Sequence, residues 1–291
     1  MAVTSWISWP RAARALALGL LASATFSAAA KAQAAAPEAT SPESANPGAR
    51  PLCADRPGKA TPPCIVDVGR LQVEVGLVDA AFQRQAGQHD DAYTLGQFEL
   101  RTGISRRTEV EIGWTPWSIQ RTETAGVRSR QAGVGDLSLG FRTALTDPDK
   151  DGLAVSLEPF VTAPTGTHGQ GAGGWQGGLL LPMSGPLIKD VSFGFTPEVA
   201  VVRNAAGGGT HVAWSGAFGI SHAFGPANVG LEVWGGVDED PAATTTMASL
   251  DATAAWTPAA TPDLQLDAGV NAGLNRNTPD VELYVGVARR F

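Results

Sequence analysis

Lysine is nearly absent beside arginine, cysteine occurs only twice, and charged residues make up just 17% of the chain. Each shortage excludes something. Two cysteines in 291 residues rule out a disulfide-dense scaffold. Sparse charge removes the salt-bridge patterning of exposed helices, yet 43% hydrophobic residues exclude disorder for most of the length. The 35 glycines follow no period of three, which excludes collagen. Beyond the N-terminal segment no uncharged apolar run approaches the roughly 20 residues of a transmembrane helix. Any membrane span must therefore be made of strands in a closed barrel, since lipid offers the backbone no hydrogen bonds.

The N-terminus has the three parts of a secretory signal. Arg11 and Arg14 precede an uncharged run from Ala15 to Ala30, and small residues recur at Ala30, Ala32 and Ala34. Residues 1–34 are expected to be removed on export. Without Arg11, Arg14 and Lys31, the 21 basic residues fall to 18 against 28 acidic ones, a net of about −10. An acidic exported chain is a poor nucleic-acid binder, and none is expected as a partner. Residues 35–68 are rich in Pro, Ala and Ser without period and read as a periplasmic tail or linker. Cys53 and Cys64 lie within it. Export favours a disulfide between them over a metal site, for which no histidine is near.

From Gly69 to Phe291 the pattern changes to segments of about ten residues with one apolar face. The last two are the clearest. Val281, Leu283, Val285, Val287 and Phe291 alternate with Glu282, Tyr284, Gly286, Ala288 and Arg290, and Leu264, Leu266, Ala268, Val270, Ala272 and Leu274 alternate with Gln265, Asp267, Gly269, Asn271 and Gly273. Ten further strands are expected near 69–79, 91–103, 108–117, 133–145, 152–162, 175–182, 191–203, 211–223, 227–238 and 245–258. The fold class that follows is all-β, a transmembrane antiparallel barrel of about twelve strands ending in a C-terminal Phe. Long connections at 80–90, 118–132 and 163–174 read as external loops that control admission of solute.

A soluble sandwich also alternates, but the polar face here is rich in glycine and carboxylates, as a wet barrel interior requires. Aromatic residues fall at strand ends, with Trp114, Trp117, Trp175 and Trp214 toward one rim and Trp256 and Phe291 toward the other. The chain stops on Phe291 after an alternating apolar run. This resembles the C-terminal strand that the barrel-assembly machinery recognises, although Arg289 departs from the usual apolar or aromatic residue. Outer-membrane lipid and that machinery are the expected partners, together with a small-molecule solute.

Asp55–Gly58 (DRPG), Gly69–Asp79 (GRLQVEVGLVD), Gly133–Arg142 (GVGDLSLGFR) and Gly273–Phe291 (GLNRNTPDVELYVGVARRF) are similar to the outer-membrane family of phenol-degradation meta-pathway proteins. The resemblance implies a barrel fold and a transport role. Phenol itself is not implied as a ligand.

If the apolar phase meets lipid, the opposite phase places Arg70, Glu74, Glu99, Arg101, Glu109, Glu111, Asp136, Arg142, Glu158, Glu198, Glu232, Asp251, Asp267, Glu282 and Arg290 on the lumen. Two readings follow from this acidic set. One is a conduit whose field disfavours anions. The other, which the need to pair buried charge favours, is an internal network of arginines and carboxylates that plugs the barrel. Function is accordingly expected to be that of an outer-membrane pore or transporter for a small solute, hydrophobic or aromatic. A barrel that merely displays loops is the alternative, and a lipid-degrading enzyme ranks third. The histidines His89, His168, His211 and His222 have no serine at a spacing that dictates a catalytic pair. The run TGTHGQGAGG lacks the Lys-Ser/Thr ending of a phosphate loop, and Asp147, Asp149 and Asp151 lack the Glu of a calcium loop. No catalytic residue, cofactor or metal site is expected.

Overall fold

The computed structural model describes residues 49–291 apart from 168 and 207. The expected signal peptide (1–34), the first part of the expected linker (35–48) and His168 lie outside the described residues.

Every regular element among the described residues is a strand, and the strands make twelve walls. These are β1 (Leu71–Gln85), β2 (Gln88–Ser105), β3 (Thr108–Trp114 continued by Trp117–Thr124), β4 (Val127–Gly133 continued by Leu137–Ala144), β5 (Ala154–Ala163), β6 (Gln176–Leu180 continued by Met183–Ile188), β7 (Val191–Arg203), β8 (Thr210–Phe224), β9 (Ala227–Asp238), β10 (Thr245–Trp256), β11 (Leu264–Gly273) and β12 (Val281–Arg290). Each wall pairs antiparallel with the next, and β1 pairs with both β2 and β12, so the sheet closes with no free edge. The ladder extends to the last residue, where Phe291 N–H donates to Leu71 C=O at 2.8 Å.

Burial is inverted relative to a soluble protein. Val281, Leu283, Val285, Leu266, Val270, Phe218, Ile220, Leu231 and Val233 are exposed, whereas the largest fully buried side chains include Arg101, Arg142, Glu74, Glu109, Glu111 and Glu158. Alternation along each strand sends apolar groups outward to lipid and charge inward. Trp117, Trp175, Trp214 and Trp256 are exposed near strand ends, as is Phe291 at the terminus. Near the outer end, Phe82 and Tyr93 meet edge to face at 6.0 Å, with the Arg84 and Arg121 guanidinium groups 5.8 and 5.4 Å from their ring centres. Arginines stretched over aromatic rings suit a lipid–water boundary.

Three sequence expectations need correction. Residues 80–90 are not a loop: β1 and β2 run on to the two-residue turn Ala86–Gly87. Residues 118–132 form the upper parts of β3 and β4, joined at Ala125–Gly126, whose φ values of 51° and 80° are those of a type I′ hairpin. Above the membrane both faces of a strand are wet, so the alternation that marks a strand disappears there. Residues 183–190, expected as a connection, mostly continue β6 beyond Pro182. The remaining long external connection, 164–175, folds back on β4, where Asp136 accepts from Gly166 N–H and Ala172 N–H, both at 2.7 Å.

Val285→Arg, on the lipid face of β12, should cost about 2–4 kcal/mol in urea unfolding from lipid vesicles. Ser129→Arg, on the tall β3–β4 hairpin, should cost almost nothing. Equal costs would show that the hairpin lies in lipid or that β12 does not.

Candidate functional site: an ion-paired plug in the lumen

Residues 49–68, read from sequence as tail, rise into the periplasmic half of the barrel and return to start β1. The segment is proline-rich and irregular, so its carbonyl groups need donors from elsewhere once they leave water. The walls supply them. Cys53 C=O accepts from Gln72 Nε2 (2.8 Å) and Arg101 Nη1 (2.9 Å), Arg56 C=O from Gln265 Nε2 (3.0 Å), and Thr61 C=O from Thr196 Oγ1 (2.8 Å). Pro62 and Cys64 carbonyls accept from Arg142 Nη1 at 3.1 and 3.3 Å. A disulfide joins Cys53 to Cys64, with their Cα atoms 6.4 Å apart, and closes the plug into a loop.

Asp55 is the centre of the contact. Arg142 on β4 donates to both of its oxygens, at 2.5 and 2.9 Å, and Arg101 on β2 approaches to 3.0 Å. Each arginine is in turn held by the walls. Arg101 meets Glu74 at 3.0 Å and Glu109 at 2.7 Å, while Arg142 meets Glu158 at 2.8 Å and Glu111 at 3.0 Å. Asp55 N–H and Arg56 N–H both donate to Glu74, and Val66 N–H donates to Glu109 at 2.5 Å. Burial alone would raise the Asp55 carboxyl, but Arg101 and Arg142 hold it well below the usual carboxylate range.

The tip of the plug carries positive charge to the acidic wall. Arg56 pairs with Asp267 at 3.1 Å and lies 5.7 Å from the Tyr284 ring centre. Gly76 and Gly286 leave the room it needs, because a Cβ at Gly286 would stand 2.3 Å from the Arg56 Nε. Lys59 Nζ donates to Asp251 (3.0 Å) and Ser249 (2.9 Å) and sits 5.1 Å from the Trp234 ring centre, while its N–H donates to Glu232 at 2.7 Å. At the periplasmic base, Arg290 Nη1 donates to Arg50 C=O at 2.6 Å, and Arg50 and Arg106 each donate to Asp149. Those two hydrogen bonds hold the Asp149 carboxyl at about 2.

The expected lumen residues thus divide by role. Glu74, Arg101, Arg142, Glu232, Asp251 and Asp267 touch the plug directly, as does Glu109. Glu111 and Glu158 brace Arg142, and Glu99 is buried beside Asp55 and Glu111. Glu198 accepts from Ser215 at 3.0 Å and Glu282 from Asn271 at 2.6 Å, both on the walls and away from the plug's contacts. Asp136 sits in the break of β4 and anchors the external loop. Sequence reading missed Asp55, Arg56 and Lys59, although the DRPG motif had singled out the first two.

Closed topology, an apolar exterior and a charged interior define an outer-membrane β-barrel of the channel type. The sequence matches the family described as "Putative MetA-pathway of phenol degradation" over residues 54–291, and the chain belongs to that family. The match begins within the plug, so residues 54–68 of it fall inside the matched range. Among solved structures the fold is similar to an outer membrane channel from Pseudomonas putida F1, at 15% identity and a TM-score of 0.63, covering 81% of this chain and 99% of that one. The NanC porin (9% identity, TM-score 0.46, 75% of this chain and 98% of that one) and the translocator domain of autotransporter NalP from Neisseria meningitidis (14% identity, TM-score 0.46, 77% and 90%) are more distant. At these identities the likeness concerns the fold. No match was found among curated proteins.

Asp55→Asn should weaken seating of the plug by about 3 kcal/mol, because two buried arginines lose charged acceptors. Hydrogen exchange of the amides between Cys53 and Cys64 would report it, and unchanged protection would contradict the assignment. Acid should act late. Asp55 and Asp149 have depressed folded values, so their contribution is complete above the ordinary carboxylate value of about 3.9. For Asp149 it disappears as pH falls through about 2. Plug amides should therefore stay protected from pH 7 down to about 4, and release near pH 5 would count against this reading.

Proposed function

We propose that the protein is an outer-membrane transporter for a small solute, hydrophobic or aromatic, in which the 49–68 plug governs passage. The observation that carries this reading is how the lumen is filled. Twelve strands enclose more space than wall side chains alone fill. Here that space is occupied by a segment outside the strand order, attached through side-chain ion pairs and hydrogen bonds. A scaffold that only displays loops has no need of a filling that can leave. The walls still carry more carboxylate than the plug neutralises, so a path opened by displacement of the plug favours cations or neutral molecules over anions. Family membership supports the same class of function. Phenol is not inherited as the substrate.

No enzymatic step is part of the proposal. The described contacts of His211 are to Asn204, Asp238 and Asp240, none of which is a nucleophile suited to lipid hydrolysis. The expected location is the bacterial outer membrane after export, with Phe291 closing the strand offered to the assembly machinery.

Planar-bilayer recording of the refolded mature protein tests the reading. Asp55→Asn should raise single-channel conductance above the wild-type level, with a reversal potential showing cation preference. Adding Glu111→Gln and Glu232→Gln should reduce that preference. Folded barrels that stay silent in both wild type and Asp55→Asn, and that fail to pass an aromatic probe into liposomes, would leave the display scaffold as the better account.

A further inference from the structure

At the end of the barrel opposite the base of the plug, three side chains from two neighbouring walls and the connection that follows them converge on one point. His211 is the second residue of β8, Asp238 ends β9, and Asp240 follows in the β9–β10 connection. One ligand-type atom from each lies within 4.8 Å of the others. The His211 side chain is only 5% exposed, and its two ring nitrogens are unlike. Nδ1 is 2.9 Å from Asn204 Oδ1. The orientation of that amide is set by its other end, since Asn204 Nδ2 donates to Gly208 C=O at 3.0 Å. Nδ1 must then carry the hydrogen, and Nε2 faces Asp238, while the Asp240 carboxylate lies 3.9 Å from Nδ1. Nε2 comes within 2.8 Å of Asp238 Oδ1 but makes no hydrogen bond, although it is buried.

The carboxylates are held in place independently. Asp240 Oδ2 accepts from Ala205 N–H and Oδ1 from Ala242 N–H, both at 2.7 Å, and Asp238 Oδ1 accepts from Asp240 N–H at 3.0 Å. A buried imidazole nitrogen facing one fixed carboxylate, with a second carboxylate within 4.8 Å and the other ring nitrogen donating to a carbonyl, is an arrangement that histidine takes when it binds a metal. Imidazole among the donors favours a transition metal over calcium or magnesium. Metal–ligand bonds of about 2.0–2.2 Å to three such groups need only small side-chain rotations from the present spacing.

We propose that His211, Asp238 and Asp240 form a binding site for one divalent transition-metal ion, zinc in the first instance, at the outer mouth of the barrel. The ion takes one imidazole nitrogen and one oxygen from each carboxylate, and solvent completes the shell. Asn204 acts through His211 by fixing its tautomer. Because Asp240 also holds the Ala205 backbone, the metal ties the β7–β8 connection to the β9–β10 connection at the rim of the lumen.

The test is titration of the detergent-purified mature chain with Zn²⁺ by calorimetry, with Co²⁺ as a spectroscopic probe. The expected result is one ion per chain, with a Co²⁺ visible spectrum showing nitrogen and oxygen ligation. His211→Gln should abolish that binding, and Asn204→Ala should weaken it by about 10–100-fold, as loss of an orienting hydrogen bond does. A heat-modifiable gel shift establishes that each variant has folded. Absence of saturable binding near one equivalent overturns the proposal and leaves an ordinary His–Asp ion pair. Equal affinity in His211→Gln also overturns it, by placing the ion elsewhere. Should His211→Gln not fold, Asn204→Ala decides, since it changes a connection and not a wall: unchanged affinity again overturns the site.

Discussion

Two arginines buried in the wall of a membrane barrel need negative partners, and much of this structure follows from how they obtain them. Arg101 and Arg142 project from β2 and β4 into a space shielded from bulk water, where an unpaired charge costs several kcal/mol. Wall carboxylates from β1, β3 and β5 meet part of that need, and Asp55 from the plug meets the rest by bridging both guanidinium groups. The same two arginines donate to plug carbonyls at Cys53, Pro62 and Cys64. They therefore hold the charge and the backbone of the plug at once. Removing the plug would leave a donor-rich wall exposed to the lumen, and removing the arginines would leave an irregular proline-rich segment with unsatisfied carbonyl groups. Each is the solvent of the other.

The acidity of the lumen has the same origin. Taken alone, the wall charges suggest a conduit for cations. With the plug seated, many of them have a nearer purpose: Asp267 receives Arg56, and Glu232 and Asp251 receive Lys59 and its backbone. Glycine on the interior face is explained alongside. At Gly76 and Gly286 the absent side chains make the volume that Arg56 occupies. The interior is a mould for residues 49–68.

The fold was legible in the sequence to the extent that lipid imposes a period of two. Leu264–Gly273 and Val281–Arg290 were readable because every second residue must be apolar to face hydrocarbon. Where the strands leave the membrane that requirement lapses, so the upper parts of β1 to β4 were taken for loops. Pro182 hid the continuation of β6 for a different reason, since proline is a poor witness to a strand. The buried charges were likewise legible as a set, by their phase opposite the lipid face. Their pairing was not, because Asp55 is 46 residues from Arg101 in sequence and 87 from Arg142, and nothing local records that they meet.

The sequence by itself determined that this chain forms a closed antiparallel barrel with charge inside, because the bilayer enforces alternation and closure residue by residue. It also held the clue of the DRPG motif without its meaning. Only the tertiary structure decided that residues 49–68 are a plug and not a tail, and that His211, Asp238 and Asp240 share a point at the mouth. Both depend on closing the ring, which sets side chains from distant walls face to face across a lumen at distances that sequence separation does not encode.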